Sequence, residues 1–109
     1  PMEGWHRNMN YTDTKLPWIL PSPQIPSPDA AIGYPSAGIA GEFQNYLNIG
    51  VGYTLPFQIF AAEWIDADNL KAKLDSYGIE GVAFRTIHYK PFFGNLAGKD
   101  LNGVQYFRL

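Results

Sequence analysis

The 109-residue chain carries eight basic and ten acidic residues, a formal net charge of −2 and no cysteine. That length bounds it to one domain with a modest core, and its scattered basic residues form no stripe that could neutralise phosphates, which argues against nucleic acid. Disulfides, thiolate catalysis and cysteine-based zinc sites are excluded, and no apolar run approaches the ~20 residues of a membrane-spanning helix.

Apolar residues make up 46% and charged residues 17%, a globular balance. Three Trp, seven Tyr and seven Phe stand beside nine Pro and eleven Gly, which implies a loop-rich build. The aromatics either fill a core short of long helices or give a surface that is both apolar and hydrogen-bonding. His6 and His88 lie far apart, without a spacing that would hold a metal.

Residues 1–16 show no clear period, and Glu3-Gly4-Trp5 reads as the end of a strand entering a loop. Residues 17–28 contain five prolines, which exclude helix and central strand and force an extended path. Trp18, Ile19, Leu20 and Ile25 make this an apolar segment, so it is expected to pack as an ordered, partly buried loop rather than serve as a spacer. Ser27-Pro28-Asp29 is a helix start, with a capping hydroxyl, a proline at the first helical position and an acid in the first turn. Pro35 is expected to stop that helix within about two turns.

Residues 36–56 read as irregular and Phe57–Ala61 as a buried strand. The clearest helix spans 67–77. Asp66 caps it, Leu70, Leu74 and Tyr77 fall on one face, Lys71, Lys73 and Asp75 on the other, and Gly78 followed by Ile79 ends it. Val82–Tyr89 alternates as a strand, and Gly103–Leu109 forms another. The expected class is α+β, a small mixed sheet with one main helix and long ordered Pro/Gly-rich loops. The start at Pro1 and the strand-like end are read as marks of a fragment: a single subdomain, residues 1–109, of a longer chain.

The segment Asn48-Ile49-Gly50-Val51-Gly52-Tyr53-Thr54-Leu55-Pro56-Phe57 concentrates the features of a polar small-molecule site. Two glycines one residue apart permit positive φ or close backbone approach, and Tyr53 and Thr54 place hydroxyls beside them. The plain alternative is a tight connection between strands.

Taken in order, Gly4-Trp5-x-Arg7, Leu16-Pro17-Trp18, Pro21-Ser22-Pro23-x-Ile25-Pro26, Tyr34-Pro35, Gly50-x-Gly52-x-Thr54-x-Pro56-Phe57, Trp64-Ile65-Asp66, Gly81-Val82-x-Phe84-Arg85 and Gly103-Val104-Gln105 resemble one bacterial family. The chain looks like the C-terminal portion of the NamZ-like exo-β-N-acetylmuramidases, a family formerly without assigned function. The resemblance implies a longer protein in which a Rossmann-like N-terminal subdomain and this subdomain flank a cleft. That cleft removes N-acetylmuramic acid from peptidoglycan fragments, with the catalytic glutamate on the N-terminal side. It implies a cell-wall sugar or muropeptide ligand, no cofactor, no metal, and a periplasmic or secreted location whose targeting segment lies outside this sequence.

The sequence also departs from the family pattern. Ile49 and Val51 stand where the family has a glutamate and an arginine. Gln24 replaces an asparagine, Glu63 a proline, Asn95 a lysine and Leu101 a cysteine. These changes imply a divergent branch with altered specificity, or a non-catalytic relative.

Glycoside hydrolysis ordinarily needs two carboxyl groups flanking the bond. Asp29 and Asp66 are explained as helix-start residues, and Asp68, Asp75, Glu80 and Asp100 as solvated. Glu42 is the one acid nominated, on its place near the family's acidic stretch, with an ordinary loop position as the alternative. Glu63 is second, with capping or pairing with Arg85 as its plain account. Trp18 and Trp64 could each stack on a pyranose or anchor the core. Arg7 and Arg85 could each grip the lactyl carboxylate of muramic acid, or form structural ion pairs. His88 reads as a structural histidine. The expected cleft wall is Arg7, Trp18, Gln24, Glu42, Asn48, Tyr53 and Thr54, with no catalytic residue assigned. The alternative function is a non-catalytic glycan- or peptide-binding module.

Overall fold

A computed structural model describes residues 2–109. After a short 3-10 turn at Tyr11–Thr14 come helix α1 (Pro28–Gly41), strand β1 (Ile59–Ala62), helix α2 (Ala67–Asp75), and strands β2 (Val82–Tyr89) and β3 (Leu101–Arg108). The α+β class holds. The sheet has the order β1-β3-β2 and is antiparallel throughout rather than mixed. No strand forms at Glu3–Trp5; Glu3 and Gly4 lie in a turn and Trp5 is irregular.

α1 starts as its sequence dictates: Ser27 Oγ accepts from the Ala30 amide at 3.2 Å, with Pro28 in the first turn. It does not stop at Pro35 but continues to Gly41. An interior proline removes one helical hydrogen bond and opposes the helix by about 3 kcal/mol. Tertiary contacts offset this. Ala30, Gly33 and Ala37 are buried on one face, and the Tyr34 ring stands edge-on to Phe57 at 4.8 Å. Gly33 is essential to that fit, because a Cβ there would lie 2.0 Å from the Phe57 carbonyl oxygen and 2.8 Å from the Tyr106 hydroxyl. The Tyr106 hydroxyl bonds the carbonyls of both Gly33 and Phe57, tying the helix to β3.

α2 is capped by Asp66, whose Oδ1 accepts from the Asn69 amide at 3.0 Å, and the chain leaves it through Gly78 at φ 58°. Leu70 and Leu74 are half-buried while Tyr77 is exposed, so the apolar face is narrower than its spacing predicts.

Residues paired across antiparallel strands share a face of the sheet. One face carries Ile59, Ala61, Ile87, Tyr89 and Leu101, which form a cluster with Leu96, joined by Tyr53 and Leu55. The opposite face carries Phe60, Phe84, Val104 and Tyr106. α1 reaches it through Ser36 and Gly33, and α2 packs over β2 and β3. A second cluster of Ala30, Ala37, Ile49 and Phe57 sits beneath α1.

The proline loop is partly covered. Trp18 Nε1 donates to the Ile25 carbonyl at 3.1 Å and its ring meets Tyr11 edge-on at 4.9 Å, whereas Ile19 is 80% exposed, so the expected cover does not extend to it.

Candidate functional site

Three surfaces present chemistry. The first is a groove of about 490 Å³ between α1 and α2, floored by Phe60, Phe84 and Tyr106 and walled by Ile32, Leu74 and Ile79. A smaller cavity of about 300 Å³, bounded by Tyr11 and Trp18, adjoins it through the shared residues Asp29, Ile32 and Arg108. Arg108 is held there by Asn10, its guanidinium donating to Oδ1 at 2.7 Å.

The second surface is the glycine-rich connection. Gly50 and Gly52 adopt φ of 87° and 91°. A Cβ on Gly52 would lie 2.2 Å from the Phe93 carbonyl oxygen, and the Gly52 carbonyl accepts from the Phe92 amide at 2.9 Å. The glycines therefore serve a close approach between two loops of the chain itself. Asn48 stabilises the turn: Oδ1 accepts from the Gly50 amide at 2.8 Å and from the Tyr89 hydroxyl, and Nδ2 donates to the Val51 carbonyl at 2.9 Å. Tyr53 is half-buried against Tyr89 with ring centroids 4.5 Å apart, and its amide donates to the Gly50 carbonyl at 3.1 Å. Thr54 is exposed. Burial raises the Tyr89 hydroxyl pKa well above the ordinary tyrosine value, and proximity to Tyr53 adds to the rise. Desolvation also raises Tyr106, partly offset by its hydrogen bond with Ser36.

The third surface is a loop end where three connections meet. Trp64 Nε1 donates to the Tyr46 carbonyl at 3.3 Å, Asn95 Nδ2 donates to Asn45 Oδ1 at 2.8 Å, and Lys99 pairs with Glu63 at 2.7 Å. These ties link residues 45–46, 63–64 and 95–99.

The expected wall residues divide between two ends of α1, whose 14 residues span about 20 Å. Asn48 and Tyr53 come together, with Thr54 next in the chain and Glu42 exposed at the C-terminal end of the helix. Trp18 and Gln24 lie in the half-buried proline loop before the N-terminal end of the helix. Arg7 is exposed, its guanidinium 5.9 Å from the Trp5 ring. Of the seven, Trp18 lines one of the two cavities.

One expected pairing changes. Glu63 pairs with Lys99, not with Arg85; the strand register sets Arg85 opposite Gln105, whose Oε1 accepts from its Nε at 2.7 Å. His88 likewise meets its register partner Asn102 at 2.7 Å. The carboxylates of Asp13, Asp66, Asp75 and Asp100 are engaged in caps or ion pairs. Among the described residues, no group of three or more His, Asp or Glu is placed to hold a metal. No described helix is long and apolar enough to cross a membrane. Sequence reasoning missed the three loop ties and the place of Arg108. The signal for the ties is that Glu63 and Asn95 depart from the pattern of the family the chain resembles.

Two helices on one face of a three-stranded antiparallel sheet, with long ordered loops closing the other, define a small α+β domain whose candidate sites lie at its loops and interhelical groove. Residues 32–108 match the family described as "Exo-beta-N-acetylmuramidase NamZ, C-terminal", and the chain belongs to this family. Over 106 residues it is 36% identical to the peptidoglycan beta-N-acetylmuramidase NamZ of Bacillus subtilis (strain 168), covering 97% of this chain and 25% of that protein. A crystal structure of a DUF1343 family protein from Bacteroides fragilis NCTC 9343 superposes with a TM-score of 0.90 at 48% identity, over 96% of this chain and 27% of the other. The chain thus spans about a quarter of the length of the relatives it matches.

Proposed function

We propose that this chain is the C-terminal unit of a peptidoglycan-sugar hydrolase acting on N-acetylmuramic acid. In this reading it forms one wall of the substrate cleft, and a Rossmann-like N-terminal subdomain supplies the catalytic acid. The observation that carries it is the match to the Bacillus muramidase along 97% of the chain, which brings that relative's activity to the longer protein rather than to an isolated motif. The chain's own carboxylates support the division of labour. Five of the ten are held in caps and ion pairs, and Glu42, the nominated acid, is exposed at a helix end. In this reading Glu42, Asn48, Tyr53 and Thr54 border the ligand from one end of α1, and Arg7, Trp18 and Gln24 from the other. Because the substrate is cell-wall material, the reading carries the protein to the periplasm or cell exterior.

A second reading, a non-catalytic glycan- or peptide-binding module, is favoured by the exposed aromatic rings at the loop end. The test is release of sugar from a chromogenic N-acetylmuramide. The 109-residue chain alone should be inactive, while a longer natural chain containing it should release N-acetylmuramic acid. Activity of the 109-residue chain that disappears in Glu42→Gln would overturn the division of labour. An inactive longer chain would favour the binding module.

A further inference from the structure

Asp29 and Arg108 line both the interhelical groove and the smaller cavity that adjoins it, and no other charged residue lines either. Among the described residues the ion pairs are Lys71–Asp75, Lys90–Asp100 and Lys99–Glu63, so Asp29 and Arg108 are not closed on each other despite their opposite charges. Each also keeps hydrogen-bonding capacity. Ser27, not Asp29, caps α1 by accepting from the Ala30 amide, which leaves the Asp29 carboxylate its lone pairs. Arg108 gives one N–H to Asn10 Oδ1 at 2.7 Å, a contact that steadies the guanidinium and leaves the rest of its donor fork open. An acceptor on α1 and a donor on β3 thus face the same space.

The rest of the groove carries no charge and little free polarity. Tyr106 spends its hydroxyl proton on backbone carbonyls, and Ser36 donates to the Gly33 carbonyl at 2.9 Å. Gln58 adds one neutral amide. What remains is the floor of Phe60 and Phe84, with Leu74 and Ile79 on the wall, in a space of about 490 Å³ that suits a small molecule. A matching occupant brings an apolar body with a cation and an anion together at one end. A hydrocarbon answers neither charge, a fatty acid is repelled by Asp29, and a simple amine is repelled by Arg108. An α-amino acid carries ammonium, carboxylate and side chain on one carbon.

We propose that the interhelical groove binds a free α-amino acid with a large apolar side chain. Its carboxylate lies on Arg108, its ammonium on Asp29 and its side chain over Phe60 and Phe84. The site goes beyond the hydrolase reading and does not depend on it.

The test is calorimetric titration of the 109-residue chain with L-phenylalanine, beside three analogues that each lack one feature. Phenylpropionate lacks the ammonium, phenethylamine lacks the carboxylate and glycine lacks the ring. Saturable binding of L-phenylalanine is expected, with each analogue weaker by about tenfold or more. Asp29→Asn should erase the advantage of L-phenylalanine over phenylpropionate, and Arg108→Gln its advantage over phenethylamine. Unfolding midpoints near that of the parent show that both variants fold; if one does not, the analogue series in the parent chain decides. Absence of saturable binding, equal binding of either singly charged analogue, or parent-like preferences in the folded variants would overturn the proposal. So would loss of L-phenylalanine binding in a longer natural chain containing these residues, because the rest of the protein would then fill the groove. Binding in a longer chain that releases no sugar would leave this site standing and remove the hydrolase reading.

Discussion

One face of the sheet is closed by loops and the other is flanked by helices. On the first, Tyr53, Leu55 and Leu96 lie against Ile59, Ile87 and Leu101, and the glycine turn brings its backbone onto Phe93 so closely that no side chain fits between. On the second, α1 and α2 stand apart and leave Phe60, Phe84 and Tyr106 at the floor of a groove. The difference shows that loops can seal an apolar sheet more completely than helices, provided glycine allows close approach. It also gives Gly50 and Gly52, the glycines of the most site-like motif of the sequence, a structural reason.

Core truncation should break this contrast most strongly. Leu101, 1% exposed on the closed face, should lose about 3 kcal/mol of stability on Leu101→Ala, while Leu74→Ala beside the groove should lose about 1 kcal/mol, both read from denaturant unfolding. Equal losses would mean that the groove is closed in solution.

Next in size is the glycine comparison. Gly52 and Gly94 share φ near 90°, but a Cβ on Gly94 meets nothing within 4 Å. Gly94→Ala should therefore lose about 1 kcal/mol from backbone strain alone, and Gly52→Ala about 2 kcal/mol or more, because the loop 91–93 must also move. If the two lose the same, the contact with Phe93 is not what closes this face.

The smallest effect is in pH. Tyr89 on the closed face and Tyr106 on the open one both have pKa values raised from 10.0 by burial. Each stays neutral longer in the folded chain than in the unfolded one. Their contribution is thus fully present below pH 10 and is lost as pH rises through the raised folded values. Unfolding midpoints from pH 8 to pH 11 should fall, and Tyr89→Phe should reduce the alkaline fall more than Tyr106→Phe.

The legible parts of the sequence are those decided within a few residues. Ser27-Pro28-Asp29 starts α1, Asp66 and Gly78 bracket α2, and the alternation of Val82–Tyr89 sets β2 to the residue. The stop assigned to Pro35 failed because what carries α1 past it comes from Phe57 and Tyr106, far along the chain. Arg85 was given an acidic partner by charge, whereas register gave it Gln105. The candidate site was less legible still. Gly50 and Gly52 looked the same whether they made room for a ligand or for Phe93, and the bonds joining residues 45, 63 and 64 to 95, 99 and 46 depend on loops meeting in space.

The strand order β1-β3-β2 has a consequence for how the chain reaches this state. β1 and β2 do not pair with each other, and the strand partner of each is β3, which follows both; on its other edge β1 meets Asn48 through a single bridge at Ala61. During synthesis the edges of β1 and β2 that face β3 have no strand partner until Leu101–Arg108 is made, so the sheet can close only after that segment is available. A nascent chain interrupted before residue 101 would hold two helices and two unpaired strands, a species for chaperones rather than a partly finished domain.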